Sequence, residues 1–293
     1  MARARLIQAL LALVAALGAA VALAQPEGAA AAPAAATGNV LRVCADPNNL
    51  PQSNSRGEGY ENQLAQALAR DLNRKLEYTY FPQRMGFVRN TLRARDVVTS
   101  QYKCDVIMGV PKGYELTATT QPYMRSVYAL LTSGRSALAG LNSAEDLLQL
   151  PAAQLHALRI GLFAQTPAAD WVLRNGLIDH AVLYPAQSGD PAETVASTIE
   201  RDLNAGTIDA AILWGPIAGF LVNRHAGSAA DRWVVLPMKP DPGIKLDYEI
   251  SMGVRQGEKE WLGELDRWIS GHRSEIAQIL SGFHVPLLPP TGS

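Results

Sequence analysis

The chain has few of the side chains that carry most protein chemistry. Histidine occurs five times, at His156, His180, His225, His272 and His284, and no two stand four residues apart as a helical zinc pair requires. There is no G-x-S-x-G elbow, no P-loop and no G-x-G-x-x-G run. Those absences argue against a metallohydrolase, a serine hydrolase, a nucleotide-driven enzyme and a dinucleotide oxidoreductase. Charge of either sign is also in short supply as an excess: 26 basic residues face 27 acidic ones. A binder of nucleic acid or of an anionic membrane needs a basic surplus that this chain does not have. Beyond residue 24 no apolar run is long enough to span a bilayer, so no membrane anchor is expected. Cysteine appears only as Cys44 and Cys104.

The first residues are the opposite case. Arg3 and Arg5 precede a nearly unbroken apolar run from Leu6 to Ala20, and Ala22-Leu23-Ala24 places small residues where a signal peptidase reads. This predicts a secretory signal peptide over 1–24, cleaved after Ala24. No cysteine follows the site and the arginines are not adjacent, so neither a lipid anchor nor twin-arginine export is expected. Residues 25–38 are Ala, Pro and Gly with one acid, and read as a disordered leader.

The body alternates strand-like runs with amphipathic helices. Val40 to Ala45, Leu76 to Phe81 and Asp105 to Val110 read as strands, separated by helices at 62–72 (Leu64, Leu68 and Leu72 on one face) and 86–95. The pattern repeats with strands at 159–163, 181–184 and 209–213. Here Thr166-Pro167 opens one helix, and a capping box at Asp190 to Glu193 opens a second that Gly206 stops. Two β-α-β-α-β units imply two parallel sheets with right-handed crossovers. Tyr123 to Leu131 reads as an extended crossing between them. The last strand, 249–254, and the helices at 259–271 and 274–281 are too little to enclose a core, so they are expected to pack back on the first unit. The predicted division is 39–126 for a first lobe, 127–242 for a second, and 243–293 for the return. Two crossings make a hinge with a cleft between the lobes.

The strings LRVCADPNNLP (41–51), GEGYENQLAQALA (57–69), TQPYMRSVYALL (120–131), LRIGLFAQTPAADWVL (158–173) and EISMGVRQGEKE (249–260) resemble periplasmic solute-binding proteins of the amino-acid-binding type. CADPNNLP, FPQRMGFVRNTL (81–92), CDVIMGVP (104–111), PYMRS and WGPIAG are similar to the subgroup associated with quinoprotein alcohol and methanol dehydrogenases, the MoxJ/XoxJ family. The resemblance covers nearly all of the chain after the leader. It implies an α/β fold of the two-lobed periplasmic binding protein type (type II). It also implies a periplasmic location, no cofactor of its own, and a PQQ-dependent alcohol or methanol dehydrogenase as partner. Against that pattern the connection RARDVVTSQYK (93–103) is long, which predicts a surface insertion beside the first lobe.

A cleft in this fold is built at the carboxyl ends of the strands. The candidate lining residues are Asp46, Asn48, Asn49, Pro111, Gln165, Thr166, Trp214 and Pro216, with Tyr60, Arg84, Phe87, Tyr123 and Arg125 from flanking segments. Amino-acid binders of this type hold the ligand carboxylate with an arginine and its ammonium with an aspartate. The matching positions here are Gly113 and Trp214. A zwitterion would forgo two charge-assisted contacts worth ~1.5–3 kcal/mol each. The expected occupant is therefore a small neutral or apolar ligand, or a partner protein, and not a free amino acid. No acid–base pair is legible in these loops, so a binding protein rather than an enzyme is expected. The alternative to the dehydrogenase accessory is the receptor of an importer for a small neutral solute.

An even cysteine count in an oxidising compartment favours a disulfide. In this fold, however, Cys44 lies near the carboxyl end of one strand and Cys104 at the amino end of its parallel neighbour. Ordinary register at ~3.3 Å per residue puts them ~10–13 Å apart, beyond the ~7 Å that a bond permits. Two unbonded thiols are expected.

Overall fold

The computed structural model describes residues 38–138, 140–185, 192–227 and 232–289. The predicted signal peptide, almost all of the leader, and Asp190-Pro191 of the predicted capping box lie outside the described residues. Three parallel strands start the fold: β1 (Val40–Ala45) between β4 (Lys75–Tyr80) and β5 (Val106–Pro111). Two short strands, β2 (Asn48–Asn49) and β3 (Ser53–Asn54), form a tight antiparallel ribbon after β1. Helix α1 (Tyr60–Asp71) follows, and buries Leu64, Ala65, Leu68 and Ala69 as one stripe. Its first turn starts at Gly59, where any Cβ would run into the backbone of Gln52. The next helix, α2, is only one turn long (Phe87–Asn90) and not the predicted run to 95. Thr91 Oγ1 donates to the Phe87 carbonyl, and the chain then leaves the helical path.

After the two-residue β6 (Ala118–Thr119), β7 (Met124–Thr132) carries the chain across. The predicted boundary at 126/127 falls inside this strand. A 3₁₀ turn (Ala144–Gln149) and α3 (Ala152–Leu155) lead to a second set of parallel strands, β8 (Ile160–Phe163), β9 (Ala181–Tyr184) and β10 (Ala210–Trp214). Their helices are α4 (Pro167–Arg174), α5 (Val195–Asn204) and α6 (Gly215–Arg224). Helix α5 begins later than the sequence suggested. Thr194 is its cap, accepting from the Ser197 amide, because this Thr and Ser close a capping box of their own. Past α5, Gly206 takes a left-handed φ of +67°.

The chain then adds β11 (Val234–Pro237), crosses back in β12 (Asp247–Val254), and ends in α7 (Lys259–Gly271) and α8 (Arg273–Gly282). The strand order is β4-β1-β5-β12-β7-β10-β8-β9, with β11 also on β7 and β6 on β12. Each set of three parallel strands is thus closed by one antiparallel crossing strand, and the crossing strands pair with each other, Asp247–Ile250 against Val127–Met124. One core gathers β1, β5, α1, α7 and α8, with Trp261, Leu265 and Ile269 buried against Leu64 and Leu68. Two further cores sandwich the second set of strands. A terminal segment, Val285–Pro289, runs along β7. Ser126 Oγ donates to the Pro286 carbonyl and the Leu288 amide donates to the Arg125 carbonyl. Gly215 and Gly219 of α6 leave room for it, since a Cβ at either would strike backbone, of Val127 in one case and His284 in the other.

Cys44 and Cys104 form a disulfide, with Cα atoms 5.4 Å apart. This corrects the expectation of free thiols. A separation of ~10–13 Å requires Cys104 to continue its strand in ordinary register. β5 begins only at Val106, and Cys104 sits in a bend that returns over the sheet into a small core with Phe87, Val88, Leu92 and Ile107. Arg255 fixes that bend by donating from Nη1 to the carbonyls of Leu92 and Cys104.

Candidate functional site

The carboxyl ends of β8 and β10 meet the amino ends of α4, α5 and α6. Phe163 ends β8, Trp214 ends β10 and Val195 begins α5. Together with Tyr128 from β7, Thr166, Ile212, Leu213 and Ile217, they line a cavity of about 170 Å³. The lining is apolar because each strand ends on a large hydrophobic residue where ligand-binding folds usually place polar ones. Trp214 is held edge-on to Tyr128, ring centroids 5.7 Å apart, and to Tyr248, at 5.9 Å. Burial, with help from Tyr248, pushes the Tyr128 hydroxyl up to about 12, so it stays a neutral donor. Neither the Trp214 indole N–H nor the Tyr128 hydroxyl has a hydrogen-bond partner among the described residues, so both are available to a ligand. Thr166 faces the same cavity, but its hydroxyl donates to the Phe163 carbonyl and does not cap α4. Gln165, at a left-handed φ of 61°, forms the turn that brings Thr166 in, and its own side chain is exposed. Pro216 is buried in the first turn of α6.

The first set of strands presents a different surface. Asp46 accepts from the amides of Asn48 and Gln83, and Asn49 reaches Gln83 Oε1 at 3.1 Å, so the β2–β3 ribbon is tied to the loop before α2. Asn48 Nδ2 lies 3.4 Å from the Ala192 carbonyl, ahead of α5, and so touches the second set. Of the other predicted residues, Tyr60 and Phe87 are core side chains and not lining: Tyr60 stacks edge-on with Phe283 and Phe87 packs beside the disulfide. Arg84 and Pro111 are exposed. Arg125 is committed to Asp247 at 2.8 Å and to the Pro289 carbonyl. Gly113 is exposed with φ +77°.

Tyr123 is buried in company that the sequence did not single out. Among the described residues its hydroxyl has no hydrogen-bond partner. It shares the space over the bare Cα of Gly109 with the carboxyl of Glu61. Burial first, and Asp46 second, raises Glu61 to about 8, so it carries a proton at neutral pH. Glu61 stood unnoticed because its neighbours Leu64 and Leu68 marked only one stripe of α1. The signal was its place in the first turn, one residue from a tyrosine, where both faces of the helix are covered. The other lining residues missed were Tyr128, Phe163, Val195, Ile212, Leu213 and Ile217. Phe163 was findable as the last residue of a strand ahead of a Thr-Pro helix start.

For a metal, the described residues offer one grouping, Asp71, His272 and Glu275, with ligand atoms within 4.8 Å of one another. It is already satisfied internally: Asp71 takes His272 at 3.0 Å and the Trp268 indole at 2.9 Å, and Arg70 holds Glu275. Among the described residues no helix is long and apolar enough to cross a membrane.

Two sets of parallel strands, each closed by an antiparallel crossing strand, with the crossing strands paired to each other, define a two-lobed periplasmic binding protein of type II. The comparisons agree. The chain is 33% identical to the periplasmic binding protein XoxJ from Methylobacterium extorquens AM1, with 85% of this chain and 100% of that one covered and a TM-score of 0.66. It is 25% identical to MxaJ from Methlophaga aminisulfidivorans MPT, covering 85% of this chain and 100% of that one, with a TM-score of 0.68. It is 27% identical to Protein MoxJ of Paracoccus denitrificans over 88% of this chain and 93% of that protein. No protein-family model matches. The chain belongs to the XoxJ/MoxJ family of periplasmic binding proteins.

Proposed function

We propose that this chain is a periplasmic accessory protein of a PQQ-dependent methanol or alcohol dehydrogenase, which it serves by binding the enzyme or by presenting a small ligand to it. Its likeness to XoxJ, MxaJ and MoxJ supports that setting. The observation that carries it is Trp214, which stands where an amino-acid binder keeps an acid and walls an apolar cavity instead. In this reading 39–126 with 243–293 form one lobe and 127–242 the other, and export through a signal peptide cleaved after Ala24 places the protein beside the dehydrogenase. Co-purification of the chain with the dehydrogenase from native periplasm tests the reading. A stable complex is expected; its absence under cross-linking counts against it.

A second reading, the receptor of an importer for a small neutral solute, is favoured by the cavity itself. About 170 Å³ suits a molecule of benzene size or smaller with one acceptor for the Trp214 indole or the Tyr128 hydroxyl. A thermal-shift series of small alcohols, organic acids and PQQ separates the two readings, because a ligand that binds only the folded state raises the melting temperature. A strong shift with a small alcohol and no complex with the dehydrogenase selects the importer.

A further inference from the structure

The connection 93–103, marked in the sequence as long, is a braced hairpin. Arg95 and Tyr102 bridge antiparallel, and the amides of Asp96 and Lys103 donate to the carbonyls of Gln101 and Ala94. At the tip, Asp96 Oδ1 accepts from the amides of Val98 and Thr99 and from the Thr99 hydroxyl, while Ser100 takes a left-handed φ of 58°. The guanidinium groups of Arg95 and Arg255 stack on Tyr102 at 3.9 and 4.0 Å. Directly below, Cys104 is bonded to Cys44 of β1.

This bracing holds up two apolar side chains that are almost fully exposed among the described residues. Val97 is 95% exposed and Val98 is 87% exposed. Turn tips ordinarily carry Gly, Asn, Asp or Ser, so two adjacent β-branched apolar residues need another explanation. The local charge narrows it. From Arg84 to Lys103 the chain has five basic residues and one acid, in a protein whose overall net charge is −1.

We propose that this hairpin is a docking knob: Val97 and Val98 enter an apolar recess on an acidic face of the partner dehydrogenase, with the surrounding arginines meeting its rim. The inference rests on the accessory reading above and adds the surface that makes the contact. The bracing supports a protein recess, because a pre-ordered tip loses little conformational entropy on docking. A membrane surface is the poorer fit. Interfacial anchors rely on aromatic or long aliphatic side chains, and the one aromatic here, Tyr102, is covered by two guanidinium groups.

The test is calorimetric titration of the full mature chain and of a Val97→Ser, Val98→Ser double variant into the purified dehydrogenase from the same cells, at two salt concentrations. The double variant is expected to bind about tenfold or more weakly, with an unchanged melting temperature, since neither side chain is buried. Arg89→Glu, on the exposed side of α2, is expected to weaken binding most at low salt. Wild-type binding that the double variant matches overturns the docking knob and leaves the accessory reading standing. No binding by the wild type overturns both. Two further outcomes overturn the proposal: co-sedimentation with phosphatidylglycerol vesicles that the double variant loses, and a concentration-dependent dimer that it abolishes.

Discussion

The two sets of strands share a plan and differ in how they are held. The first is cross-linked and holds buried charge. It contains the Cys44–Cys104 bond, the Arg255 cluster and the protonated Glu61. The second contains no described cysteine, and its cores are apolar side chains around a half-open aromatic cavity. The same topology therefore yields one half built for rigidity and another built to leave a space. In the first half Arg255 is locked onto Glu258 and two backbone carbonyls. In the second the free donors, on Trp214 and Tyr128, sit at the edge of an unfilled volume.

The largest expected effect breaks the first half. Arg255 is buried, donates to Glu258 at 2.7 Å and to the Leu92 carbonyl at 3.0 Å, and sits 3.4 Å from Asp105. Arg255→Ala strands the buried Glu258 and should cost about 3–5 kcal/mol of stability in urea denaturation. Removing the disulfide comes next. The double variant Cys44→Ser, Cys104→Ser frees a loop of 60 residues and should lose about 2–4 kcal/mol by the same measurement, with a matching loss on adding reductant to the wild type. An equal melting temperature with and without reductant would leave the contrast between the halves without its main support.

Glu61 gives a graded effect, spread over several pH units. Its pKa is raised in the folded chain, from 4.5 to about 8, so the folded state holds a proton that the unfolded state has released. The associated stability is complete below about pH 4.5 and is lost as the pH rises towards 8. The decline is at most about 1.4 kcal/mol per pH unit. Glu61→Gln should flatten it, as read from denaturation midpoints between pH 5 and 8. Trp214→Ala addresses the second half and should cost the least stability, about 1–2 kcal/mol, because the ring is only half-buried. Its signature lies in binding: any small apolar ligand that raises the wild-type melting temperature should lose that effect.

Much of the fold was legible because periodicity reports burial. The stripe of Leu64 and Leu68, the strand around Leu41 and Val43 and the helix at 259–271 each contributed to one core. The resemblance supplied the order of the pieces. What escaped was non-local. The path of Cys104 depends on Arg255, 151 residues away, whose hydrogen bonds hold the bend that brings the two sulfurs together. Tyr60 and Phe87 looked like lining because they flank strand ends, yet Phe283 and the disulfide cover them. Glu61 escaped because an isolated acid in a first turn ordinarily reads as a helix-dipole partner. Only Gly109 and Tyr123 reveal it as enclosed.

The terminal segment has a mechanical consequence. Val285 belongs to the core beneath α1 and α8, and three residues later Leu288 packs into a core of the second set of strands. The segment is thus a third thread through the crossing, stitched to β7 and seated against glycines of α6. Any swing of one half against the other must shear this seam or carry it along. The stiffness of the joint is therefore set partly by Val285–Pro289, outside the two strands that make the crossing.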